Sequence, residues 1–128
     1  MIQLKIGIVG NRTFPHDDIP LVDRVVDGLS PGTTVISGGA TRVNCRALEH
    51  AERRGLPTVL ILPDYNQFGS EAGYIRNKEI VNKSDILIAF WDGKHRGTLH
   101  IIKRAEQAGK LVLVVRPMGH YQREMENA

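Results

Sequence analysis

Two short stretches of this 128-residue chain carry the makings of an anion site: Ser37-Gly38-Gly39-Ala40 and Arg96-Gly97-Thr98. Each lies between a run of apolar residues and a helical pattern. Glycine has no Cβ, so a ligand can approach its backbone closely. At a helix start the free amides and the helix dipole favour a negative group. Neither stretch matches the dinucleotide fingerprint of three spaced glycines or the P-loop with its Lys-Ser/Thr ending. Two further loops have unusual content, Gly10-Asn11-Arg12 and Asp92-Gly93-Lys94-His95. Asp92 is read as a ribose contact or as the group that orders its own turn through an Asx bond. His95 is expected to be a solvated loop histidine. The five histidines show no metal spacing, and with one cysteine a structural zinc is not expected. Cys45 falls in the first turn of a helix, where a thiol can become acidic; a plain buried thiol is the expectation.

The elements that must hold these residues follow from hydrophobic periodicity. Apolar runs at 4–9, 33–37, 58–62, 85–91 and 111–115 read as strands. Helical stripes lie between them. The first has Asp18 as N-cap, with Pro20 early in the helix. The second runs over about 44–54, with Gly55 behind it. The third starts at Ser70 or Glu71 and runs to about Lys83. The fourth opens at Gly97-Thr98 and ends at Gly109. The alternation predicts an α/β, three-layer Rossmann-like domain: a five-stranded parallel sheet with helices on both faces. Right-handed crossovers bring every strand-to-helix loop to the carboxyl edge, where ligands bind at the reversal of strand order. The domain is expected over 1–116, with a polar tail over 117–128 that is either a short helix or frayed. Phe90 and Trp91 are read as core or cleft wall, and Tyr65 as a surface residue or a cover for a base.

Composition narrows the function classes. The net charge of +3 fits a small anion or weak nucleic-acid contact equally well. Aromatics at 5% are thin for a platform that stacks single strands, and no Lys/Arg run forms a polybasic patch. Nucleic acid is therefore disfavoured as a partner. No apolar stretch is long enough to span a membrane. The N-terminus, Met1-Ile2-Gln3-Leu4-Lys5, leads straight into a strand pattern without a signal-peptide layout. With a single cysteine, this points to the cytoplasm.

Four spaced motifs also carry a resemblance: Ser37-Gly38-Gly39-Ala40, Ala72-Gly73-Tyr74-Ile75-Arg76-Asn77, Ala89-Phe90-Trp91-Asp92-Gly93 and Arg96-Gly97-Thr98. In this order they resemble the YspA/YpsA-related branch of the SLOG superfamily, over about Lys5 to Val115. The superfamily includes the Lonely Guy phosphoribohydrolases and the core of DprA, the DNA-processing protein. The resemblance implies a Rossmann-like fold, a nucleotide or nucleotide-derived ligand, and a homodimer as a common state; no cofactor is expected. The ligand contacts it implies are Gly10, Arg12, Ser37, Gly38, Gly39, Ala40, Asn44, Arg76, Asn77, Asp92, Gly93, Gly97 and Thr98, with Arg76 as the phosphate cation. The alternative is a nucleotide N-glycosidase, which needs a carboxylate near the anomeric carbon; Asp92 and Glu71 are its candidates. The chain departs from the pattern where Arg42-Val43-Asn44 replaces Gly-Val-Asp, where His95 replaces a serine, and where Ile101 replaces the glutamate of the hydrolases. These departures favour binding over turnover.

Overall fold

The computed structural model describes residues 3–127. Met1 and Ile2, which were expected to lead into the first strand, and Ala128 of the tail lie outside the described residues. The five apolar runs form one parallel sheet: β1 (Lys5–Gly10), β2 (Thr34–Ser37), β3 (Thr58–Leu60), β4 (Ile86–Phe90) and β5 (Leu111–Val115), in the order β3-β2-β1-β4-β5. Between and after them run α1 (Pro20–Asp27), α2 (Arg42–Arg53), α3 (Tyr65–Phe68), α4 (Ala72–Lys83), α5 (Arg96–Gln107) and α6 (Met118–Glu126). The chain steps from β1 outward to β3, then returns past β1 to β4. Because crossovers are right-handed, this reversal puts α1 and α2 on one face and α4 and α5 on the other. The order reverses beside β1, between β2 and β4.

Side chains alternate between the faces with period two. Ile6, Ile8, Ile88 and Phe90 join Val22, Val26, Val43 and Ala47 in the core beneath α1 and α2. Val9, Ile36, Leu87 and Ala89 join Ile80, Val81, Ile101 and Ile102 beneath α4 and α5. Helix α2 comes close to the end of β1 because Gly10 lacks a side chain. A Cβ there would stand 2.6 Å from Val43. The edge strand β5 leaves Leu111 and Leu113 exposed.

Several boundaries differ from expectation. Helix α2 starts at Arg42 because Thr41 caps it, accepting the Asn44 N–H at 3.2 Å. Asp18 does not cap α1. It ends a 3-10 turn (His16–Asp18), and its Oδ2 accepts the Met118 N–H at 3.2 Å, which ties down the start of α6. Strand β3 is three residues long and stops at Leu60. Helix α3 and the 3-10 turn Gly69–Glu71 precede α4; of the two alternatives for the tail, the short helix is the one present, as α6.

Candidate functional site

Asp92 follows β4 and binds the β1 and β4 loops together. Its Oδ1 accepts the N–H groups of Lys94 (2.8 Å) and His95 (2.9 Å). Its Oδ2 accepts from the Thr13 hydroxyl at 3.1 Å and the Asn11 amide at 3.4 Å. Asn11, itself buried, receives the Asp92 N–H in return at 3.2 Å. Burial pushes the Asp92 carboxyl pKa up, but these bonds and the nearby His95 pull it further down, so it sits below the ordinary aspartate value. Both oxygens are engaged in ordering loops. This is the Asx reading of Asp92.

Two arginines reach the same edge, and each is seated on a glycine. Arg76 of α4 lays its guanidinium over Gly38, where a Cβ would fall 2.6 Å from Nη1. Its Nε donates to Asn77 Oδ1 at 2.8 Å, and its Nη1 is buried without a hydrogen-bond partner among the described residues. Burial lowers the Arg76 pKa from the ordinary arginine value. Arg116, directly after β5, covers Gly93, which has φ +88°. Its Nη2 donates to the Asp92 carbonyl at 3.3 Å, and its guanidinium carbon lies 5.6 Å from the centre of the Trp91 ring. Sequence reasoning missed Arg116. The signal was its position: a residue that follows a parallel strand stands at the carboxyl edge.

The helix starts are partly occupied by the chain itself. His95 is the N-cap of α5, its Nδ1 accepting the Thr98 N–H at 3.1 Å, with the Thr98 hydroxyl 2.9 Å away. His95 is exposed, as expected of a loop histidine, but it also caps α5, and Thr98 is buried behind it. Of the first amides of α5, those of Arg96 and Gly97 precede the capped one.

The other expected residues divide into two groups. Ser37 is buried and donates to the Ile8 carbonyl at 2.5 Å, joining β2 to β1. Gly10 serves the close approach of Val43. Asn44 is buried, its Oδ1 without a partner among the described residues. Arg12 and Ala40 are exposed in their loops, and Gly39 stands beside Leu60. Cys45 is exposed, contrary to the expected buried thiol; its Sγ donates to the Gly39 carbonyl at 3.3 Å. Phe90 is core and Tyr65 is exposed. No group of three or more metal-ligating side chains occurs among the described residues.

Away from this edge, a groove of about 720 Å³ runs between α4 and α5, lined by Ser70, Glu71, Tyr74, Lys78, His100 and Arg104 among others. The two helix layers differ in charge. Helices α1 and α2 carry four cations (Arg24, Arg42, Arg46, Arg53) and four carboxylates (Asp23, Asp27, Glu49, Glu52). Helices α4 and α5 carry six cations (Arg76, Lys78, Lys83, Arg96, Lys103, Arg104) against Glu79 and Glu106.

No family model matches the chain. The Gene 61 protein of Mycobacterium phage D29 is 32% identical to it over 114 residues, covering 82% of this chain and 90% of that protein. Among solved structures, DNA processing protein A (DprA) from Streptococcus pneumoniae aligns with a TM-score of 0.76 at 18% identity over 88% of this chain; the chain spans half (50%) of that protein's length. A structure describing the single-stranded DNA binding mode of the Helicobacter pylori protein aligns with a TM-score of 0.67 at 19% identity, over 98% of this chain and 74% of that one. These likenesses establish the Rossmann-like fold.

They also correct two expectations. The first is a small nucleotide ligand, with nucleotide glycosidase as its alternative; the second is the exclusion of nucleic acid, which rested on composition. A structural neighbour with this fold binds single-stranded DNA. The compositional argument against nucleic acid fails for a physical reason. Six cations stand against two carboxylates on the α4–α5 layer, an excess the sequence order hides, and Tyr65, Phe68 and Tyr74 are turned outward instead of into the core. For membranes, no helix among the described residues is long and apolar enough to cross one.

Proposed function

We propose, for a chain that belongs to the family of the Gene 61 protein of Mycobacterium phage D29, that it binds single-stranded DNA, the sugar-phosphate backbone crossing the carboxyl edge of the sheet. The observation that carries this is Arg76. Its guanidinium is held over Gly38 with a buried Nη1 that lacks a protein partner. An unsatisfied buried donor is costly, and a charged one more so. A phosphate oxygen that reaches the guanidinium beside Gly38 would satisfy it. Arg116 supplies a second cation, and the amides of Gly39, Arg96 and Gly97 supply neutral donors. Asn77 positions Arg76 through its Nε. The loops that hold these groups are those that resemble the YspA-related branch of the SLOG superfamily, and we place the chain there. An exposed, unpaired Cys45 suits a reducing cytoplasm.

Fluorescence anisotropy with a labelled oligothymidylate tests the reading. Arg76→Ala should weaken binding by at least ~1.5 kcal/mol, the lower end for a charged hydrogen bond. It should also reduce the slope of log K against log salt by about 0.7, the counterion released by one single-strand phosphate. An unaltered affinity and slope would overturn the assignment.

A further inference from the structure

The groove between α4 and α5 takes no part in the carboxyl-edge site, yet it collects groups of the same chemistry. Tyr74 and Lys78 stand four residues apart on α4, and His100 and Arg104 four apart on α5, so each pair stacks along one face of its helix. The rows meet across the groove: the Tyr74 and His100 rings lie 5.3 Å apart, edge to face at 75°. Tyr74 is nevertheless 58% exposed. Its ring is braced on one side and open on the other, and the core makes no use of it. Below the rings, Lys78 and Arg104 form no ion pair among the described residues. Glu71 and Ser70 line the groove at the start of α4, the same end as the rings.

Resting on the single-strand reading above, we infer that this groove is a second subsite for the same DNA strand. The strand leaves Arg76, passes over the start of α4, and lays one base on the open face of Tyr74. Its following phosphates lie against Lys78 and Arg104. The order of groups sets this arrangement. Glu71 repels a phosphate at the ring end but accepts hydrogen bonds from base N–H groups, while the cations occupy the other end. Helix α4 thus separates two parts of one path, with Arg76 facing Gly38 and Tyr74 and Lys78 facing α5. Stacking on a tyrosine tolerates any base, which suits binding without sequence preference.

The test compares oligothymidylates of about 4 and about 16 nucleotides, the span of single-strand site sizes, against the full chain and its variants. Tyr74→Ala should weaken binding of the longer strand at least about fivefold, the low end for one stacked base, and Tyr74→Phe should restore it. The double variant Lys78→Gln, Arg104→Gln should lower the salt slope by about 0.7 for each phosphate it no longer neutralises. The shorter strand should depend on Arg76 and not on Tyr74. Tyr74, Lys78 and Arg104 line an open groove, and unaltered melting curves confirm the fold. A photo-crosslink from a 5-iodouracil strand should map to Tyr74. If the groove variants bind the longer strand as wild type does, the groove is no subsite, and loss in Arg76→Ala still upholds the edge. Loss in the groove variants with Arg76→Ala unaltered supports DNA in the groove and overturns the edge reading.

Discussion

Arg76 and Arg116 owe their positions to the absence of a side chain on another residue. Gly38 and Gly93 read in the sequence as places where backbone meets ligand; in the structure each is covered by a guanidinium of the same chain. That relation was not legible, because Gly38 and Arg76 are far apart in sequence and only the packing of α4 on β2 joins them. The Asx role of Asp92 was legible, since it needs nothing beyond its own turn. The capping role of His95 was obscured by its type: histidine is not among the common N-caps, and its nitrogen does here what a serine oxygen does elsewhere. Gly38→Ala separates seat from scaffold. The added Cβ meets only the far end of a flexible side chain. Stability should change by no more than about 1 kcal/mol, the usual scale of a strain-free Gly→Ala change, while single-stranded DNA affinity falls towards that of Arg76→Ala. Thermal melting and anisotropy on one preparation check this; wild-type affinity would mean that the arginine needs no seat.

At the scale of elements, the strands were the most legible because β-branched and apolar runs bounded by turn residues leave little choice. The glycines behind α2 and α5 were legible for the same local reason: Gly55 and Gly109 adopt φ +73° and +75°. The segment before α4 was not. It has no apolar stripe to announce α3, which exists as a single turn capped by Asp64, whose Oδ1 accepts the Gln67 N–H at 3.1 Å. The contact of α2 with β1 depends on Gly10 in a way that flexible side chains cannot relieve. Val43 is β-branched and 1% exposed, so Gly10→Ala forces helix and strand apart. The expected cost is about 1–3 kcal/mol, as for other overpacked cores, read as a lower urea midpoint. An unchanged midpoint would show that α2 can shift freely.

For the molecule as a whole, charge is partitioned by layer, and this could be read from the sequence only once the strand order assigned each helix to a face. Stability should depend on acid through two carboxylates. The Arg46 side chain, bonded through Nε and Nη2 at 2.7 and 2.6 Å, holds Asp23 below its ordinary pKa against the effect of burial, with further help from Arg46, His50 and Arg53 charge. Asp92 lies low for the reasons given above. A folded-state pKa below the unfolded one adds stability that is fully present above the unfolded value, about 3.9, and is lost as pH falls through the folded values. The urea midpoint should therefore drop between about pH 5 and pH 2, and the Asp23→Asn, Asp92→Asn double variant should drop less; an equal drop would place the acid sensitivity elsewhere. The strand order also has a consequence in time. On its β4 side β1 begins with the Lys5–Asp85 exchange, in which the Lys5 N–H meets Asp85 Oδ2 at 2.9 Å and the Asp85 N–H meets the Lys5 carbonyl at 2.7 Å, 80 residues apart in sequence. At a synthesis rate of about 5–20 residues per second, the ribosome needs roughly 4–16 s to make that partner. Until then the strand destined for the middle of the sheet has no partner on that side, and half of its hydrogen-bonding groups wait for a segment not yet made.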